Sequence, residues 1–245
     1  MTTERSDLED PPNSLHLRVT VHDDGPALWP QHIGLASLEE SKRDVGTPIF
    51  MTMYQGRRGG LAGQIIRDEY FRYFEGIPPG VTYMTVDPAI SLKTTADETA
   101  IAIANVFEGQ IAYRWIWHGR VGMLDTESVI VAAWKYYQPV AIGIEDVAYQ
   151  TALIQLLEAD HPELPIEPVH PTKDKLSRFL GLARLYEFGR IYHHPSMKAS
   201  AAEYQLTHLP NGRHDDIPDA MTMISEMSGM ATVTIVSDER PEGFL

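Results

Sequence analysis

Apolar and polar positions follow two rhythms along this chain, and the change between them falls near residue 80. Before it, Leu35 and Leu38, then Ile49-Phe50-Met51, then Ile65, Ile66, Tyr70, Phe71 and Phe74 recur at helical spacing, which predicts two short helices around an extended piece. Gly56-Arg57-Arg58-Gly59-Gly60 is a loop by its glycines, and Gly76-Ile77-Pro78-Pro79-Gly80 interrupts the chain strongly enough to mark a boundary. After it the period shortens to two. Val81–Val86 reads as a strand that stops at Asp87-Pro88, and Thr99–Phe107 and Gln110–Trp117 read as a hairpin turned at Glu108-Gly109.

Helical and strand patterns then alternate. Thr126–Tyr137 and Gln150–Ala159 are predicted helices, separated by a short apolar strand, Val140–Ile144, that ends at Glu145. Pro165–Val169 reads as a further buried strand. Thr172 is a suitable N-cap for a helix over Lys173–Phe188 with Gly189 as its stop, Ile191-Tyr192 is a short strand, and Met197–His208 and Ile217–Met230 close as helices. The expected organisation is an acidic arm over 1–25 with one edge strand at Leu15–Val21, a segment 26–79, a main domain 80–232 and a tail 233–245. A three-strand antiparallel meander followed by alternating helix and strand predicts an α/β fold: a mixed sheet with added parallel strands, flanked by helices. That order alone fits several α/β folds.

Composition narrows the class. The chain has 245 residues, 43% hydrophobic and 22% charged, enough to bury a core. No apolar run reaches the roughly 18–20 residues that cross a bilayer, and Met1–Asp10 is acidic rather than a basic leader, so neither membrane insertion nor secretion is expected. The absence of cysteine excludes disulfides, thiolate metal sites and cysteine nucleophiles, and fits a reducing cytoplasm. A net charge of -14 argues against a surface that coats nucleic acid throughout. The excess is uneven: 25–80 balances six acids against six bases, whereas 81–232 holds nineteen acids and eleven bases. Such an excess is either solvated surface or carboxylate gathered to hold cations.

Position favours the second reading. Asp87 ends the first strand of the main domain, Glu145 ends a later one, and Asp215, Asp216 and Asp219 open the last helix, where open α/β sheets build their sites. Asp216 and Asp219, three apart, share one helix face. Carboxylates converging without Lys or Arg partners would repel by about 4 kcal/mol per close pair at an effective dielectric near 20, and hard divalent cations remove that repulsion. Oxygen-only ligation suits Mg2+ or Mn2+, and a pair of such ions suits phosphodiester cleavage. Each acid taken alone also has an ordinary explanation: a turn residue before proline, an N-cap, a dipole partner. As an ordered set they point to a site.

Four blocks carry a resemblance: Met84-Thr85-Val86-Asp87-Pro88-Ala89, Gly143 through Gln150, Pro171-Thr172-Lys173-Asp174-Lys175, and His214-Asp215-Asp216-Ile217-Pro218-Asp219-Ala220. Together they resemble the nuclease domain of the phage terminase large subunit. The resemblance implies an RNase H-like fold over roughly 80–230 and two-metal endonuclease cutting of concatemeric viral DNA during packaging. It implies Asp87 and Glu145 as the first two metal-binding acids, and a third from Asp215, Asp216 or Asp219, with the Asp-x-x-Asp spacing favouring Asp216 and Asp219. Asp97 resembles an accessory acid. Residues 27–75 resemble the trailing end of the terminase ATPase domain through Leu28-Trp29-Pro30 and Tyr54-Gln55, yet no G-x-x-x-x-G-K-[ST] loop occurs, so no ATP cradle is expected in this chain. Expected partners are double-stranded DNA, a separate ATPase part, a small terminase subunit and the portal or procapsid, in the cytoplasm of a bacterial host.

Basic residues supply candidate DNA contacts. Lys173, Lys175, Arg178 and Arg184 fall on one predicted helix, and either meet the DNA backbone or form a solvated face, with Lys173 or Lys175 as possible neighbours of the metal site. Arg57 and Arg58 are phosphate contacts or plain loop residues. His214 can orient phosphate or water beside Asp215, and none of His193, His194 and His214 has zinc-ligand spacing. Two other functions compete with the packaging nuclease: a free-standing resolvase-like nuclease, and a non-catalytic packaging or interaction module whose acids are caps.

Overall fold

The computed structural model describes residues 35–47, 50, 64–89, 98–145 and 151–230. The chain divides into two compact units at Leu61/Ala62. The first contributes helix α1, Leu35–Val45, with Leu38 buried, in agreement with the first helical pattern.

The second unit is built on six strands: β1 Val81–Asp87, β2 Thr99–Phe107, β3 Gln110–Gly119, β4 Ala141–Glu145, β5 Ile166–Val169 and β6 Ile191–His193. They lie in the order β5-β4-β1-β2-β3-β6. The β1–β2 and β2–β3 pairs are antiparallel, while β4 on β1, β5 on β4 and β6 on β3 are parallel. Helices α2 (Met123–Tyr137), α3 (Thr151–Asp160), α4 (Lys175–Glu187), α5 (Ala201–Thr207) and α6 (Asp216–Met227) complete it. This is the mixed sheet expected from the sequence.

Alternation along β2 explains the two layers. Ile101 and Ile103 join Met84, Val86, Ile142 and Ile144 on one face, packed with Ile130 of α2 and Leu153, Ile154 and Leu157 of α3. Ala100, Ala102 and Ala104 occupy the intervening positions, all fully buried. Small residues there let α6 approach the opposite face closely. Thr85 Oγ1 donates to the Ala220 carbonyl (2.6 Å) and Tyr113 Oη to that of Met221 (2.8 Å), fixing α6 on this face. A Cβ at Gly143 would collide with Met227 Sδ, so glycine is what lets α6 lie across β4. In β3 a bulge leaves Arg114 unmatched, so that Tyr113 points to α6 and Trp115 to the α2 layer despite their spacing of two.

Some expectations need correction. The helical spacing of Ile65–Phe74 produces only a 3₁₀ turn, Asp68–Tyr70, after which the chain extends along β6: His193 N donates to Arg72 O (2.7 Å) and Phe74 N to His193 O (3.1 Å). Tertiary pairing overrides the local pattern. The segment before Gly76–Gly80 therefore belongs to the sheet unit. β5 is a half-exposed edge strand rather than a buried one, because Glu167 and Pro168 face outward. The long helix begins at Lys175, and its N-cap is Asp174, not Thr172; Asp174 accepts from Ser177 N (3.0 Å) and Ser177 Oγ (2.6 Å). Met197–His208 is a 3₁₀ turn, Pro195–Met197, followed by α5. The arm over 1–25 and the tail over 233–245 lie outside the described residues.

Candidate functional site

Asp87 and Glu145 are the last residues of the adjacent parallel strands β1 and β4, one step beyond the Val86–Ile144 pair. Period-two alternation puts Asp87 on the face of Thr85 and Glu145 on the face of Gly143, both beneath α6. The first turn of α6 brings Asp216 and Asp219, both buried, to the same place. Asp215 occupies the N-cap position but its side chain caps nothing: Gln205 Oε1 accepts from Ile217 N (3.0 Å) in its stead. The Asp215 carboxylate is thereby released to Lys175, 2.8 Å away.

The electrostatics show that these acids face one another. Burial, then the charges of Asp219, Glu145 and Asp216, push the Asp87 carboxyl well above its usual range. Burial likewise raises Asp219 to about 6, against the pull of Lys175 and Arg178. The acids have cationic partners, Lys175 among them as one of the two lysines expected near the site. Lys175 Nζ lies 2.7 Å from Asp219 Oδ2 as well as beside Asp215, while Arg178 Nη2 lies 3.2 Å from Asp219 Oδ1 and its Nη1 3.8 Å from Glu145 Oε1. Lys175 and Arg178, three apart in the first turn of α4, share the face that meets α6. Burial of the Lys175 ammonium opposes its charge, but its bonds to Asp215 and Asp219 prevail and raise its pKa.

Comparison with known proteins adds the family. The profile of the terminase RNaseH-like domain matches residues 84–228, more than half of the chain. The chain belongs to this terminase family. No curated protein sequence matches it. Among solved structures, the large terminase from a thermophilic bacteriophage superposes with a TM-score of 0.58 at 12% identity, covering 80% of this chain and 53% of that one. The human cytomegalovirus terminase nuclease domain superposes at 0.51 and 15% identity, covering 66% of this chain and 94% of that domain. The chain thus spans about half the length of the phage terminase, and it has the RNase H-like fold of terminase nuclease domains.

The chemistry of these groups fits a hard divalent cation: the acids offer only oxygen donors, and the repulsion that Asp87 meets from its acidic neighbours is what such an ion relieves. Asp219 Oδ1 is buried and accepts no well-aligned hydrogen bond, although Arg178 is near. Among the described residues, no three His, Asp or Glu side chains are already gathered at coordinating spacing, and Lys175 and Arg178 supply the positive charge instead.

The remaining candidates are scattered. His214 Nδ1 is 4.0 Å from Asp216 Oδ2. Lys173 precedes α4 and lines a pocket of about 500 Å3 with Glu167, His170, Glu226 and Met227, where burial raises Glu226. Arg178, expected at the DNA backbone, has a side chain only 8% exposed and is held among the acids. Arg184 stacks its guanidinium over Phe188 (5.3 Å) at the far end of α4, away from the first turn. Arg57, Arg58 and Asp97 lie outside the described residues. Sequence reasoning missed Gln205, whose contact with Ile217 spans twelve positions and leaves no local signal. The Lys175–Arg178 spacing was the available clue to the cationic pair.

Proposed function

We propose that the chain is the nuclease part of a DNA-packaging terminase, a metal-dependent endodeoxyribonuclease that cuts concatemeric viral DNA. The observation that carries this is the meeting of Asp87, Glu145 and the first turn of α6 on one face, where burial and then the charges of Asp219, Glu145 and Asp216 raise the proton affinity of Asp87. Asp87, Glu145, Asp216 and Asp219 would hold the divalent ions, with Asp215 beside them. Bound there, Mg2+ or Mn2+ supplies an acidified water and neutralises charge on the phosphate and leaving oxygen.

The residues of the chain do the positioning. Arg178, buried against Glu145 and Asp219, keeps those two carboxylates from splaying apart. Lys175, about half exposed on its outer side, balances Asp215 and Asp219 and is the cation that can turn toward a phosphate when the acids take up metal. Partners in this reading are double-stranded DNA, a separately supplied ATPase, a small terminase subunit and the portal or procapsid, within the bacterial cytoplasm. No described helix is long and apolar enough to cross a membrane.

Nicking of supercoiled plasmid in Mg2+ or Mn2+, with an EDTA control, tests the proposal. Wild type should nick only with metal, and Glu145→Gln should reduce the rate at least a hundredfold. Wild-type rates from that variant would overturn the reading.

A further inference from the structure

On the β3 side of the carboxylates, the side chains of Glu98, His118 and Arg120 stand on the face that carries Asp87. The ladder pairs Asp87 with Ala100 and Ala100 with His118, so the three form a row across β1, β2 and β3. Residues directly opposite in a ladder share a face, and two strand spacings put His118 about 10 Å from Asp87. Ala100, fully buried, stands between them in the ladder. Glu98, two positions before Ala100, and Arg120, two beyond His118, fall on the same face. Their contacts agree: Glu98 Oε2 is 2.6 Å from His118 Nδ1, and Glu98 Oε1 is 3.2 Å from Arg120 Nη2.

We propose that His118 and Arg120, oriented by Glu98, form a phosphate-binding surface for the DNA strand running past the carboxylates. This rests on the nuclease reading above. Of the cations expected to serve DNA from α4, Arg178 is buried against Glu145 and Asp219, and Lys175 lies at Asp215 and Asp219, where it serves the carboxylate end of the site alone. On the β3 side, His118 and Arg120, held by Glu98, have side chains 37% and 36% exposed. Glu98 takes Nδ1 of His118, which leaves Nε2 as the ring nitrogen for a phosphate, and Arg120 carries a planar guanidinium of the kind that matches phosphate. The separation of about 10 Å from Asp87 corresponds to about three nucleotides of rise along one strand, so one DNA strand can reach both places.

Fluorescence anisotropy of a short labelled duplex, titrated with the full chain in Ca2+ to prevent cleavage, tests this. His118→Ala/Arg120→Ala should weaken binding roughly tenfold and reduce the slope of log K against log salt by about 0.9 for each lost contact. Arg120→Lys should retain most of the slope. Lys135→Ala, an exposed cation on α2, should change neither. Wild-type affinity and slope in the double variant would overturn this surface while leaving the nuclease reading intact, as would an equal loss in Lys135→Ala. A wild-type chain that binds no duplex at low salt would overturn both.

Discussion

Asp87 is an acid surrounded by acids, and removing its charge should separate stability from function. Its carboxyl sits well above the usual range because burial and its acidic neighbours oppose ionisation. Asp87→Asn relieves that repulsion at neutral pH, so the variant should melt at or above the wild-type temperature in EDTA while losing metal-dependent nicking. A lower melting temperature would show that Asp87 is a structural acid. Lys175 gives the complementary case. Its ammonium contacts two of the carboxylates a metal would use, so Lys175→Met should tighten Mn2+ binding, by roughly tenfold if one close charge contact of about 1.4 kcal/mol is removed. Calorimetric titration that finds equal or weaker binding would refute the competition. The acids were legible in sequence because each ends a strand or opens a helix. Lys175 was one of two lysines expected beside them, but the burial of Arg178 among them was not legible, because Asp219 lies more than forty positions away and no local rule joins the two.

At the level of elements, the close seat of α6 on β4 makes Gly143 a sensitive position. Gly143→Ala places a Cβ against Met227 Sδ and 3.0 Å from Val169 Cγ2, so it should cost about 1–3 kcal/mol in urea unfolding by overpacking. An unchanged midpoint would mean that Met227 simply moves aside. The pairing of residues 71–74 with β6 supplies a pH dependence. His193 is fully buried, its Nδ1 2.9 Å from Glu203 Oε1 and its Nε2 2.7 Å from Tyr186 Oη, while Tyr73 Oη donates to Glu203 (2.7 Å). Burial lowers the His193 pKa below 6.5, against the pull of Glu203. The unfolded chain therefore binds the extra proton first, and this contribution to stability falls as pH drops through 6.5, by at most about 1.4 kcal/mol per pH unit. His193→Gln should flatten the fall between about pH 7.5 and 5.5 relative to wild type, whatever its absolute stability. An identical slope in both proteins would exclude His193 as the source. The strands and the hairpin at Glu108-Gly109 were legible because alternation is a local signal. The Arg114 bulge and the extended course of 71–74 were not, since register and β6 pairing decide them.

For the molecule as a whole, -14 charges repel one another and the acids of the site add to that repulsion where solvent screens it least. Two kinds of cation should therefore stabilise it in different ways. NaCl screens exposed charge over a Debye length of about 10 Å at 0.1 M and should raise the melting temperature of wild type and Asp87→Asn alike. A divalent ion that binds the native carboxylates and not the unfolded chain adds RT ln(1 + [L]/Kd), about 2.7 kcal/mol at a hundred times Kd. At constant ionic strength, Mg2+ or Mn2+ should accordingly raise the wild-type melting temperature by several degrees and Asp87→Asn by much less. Equal shifts in the two proteins would assign the effect to general screening and remove the thermodynamic support for a metal at this site.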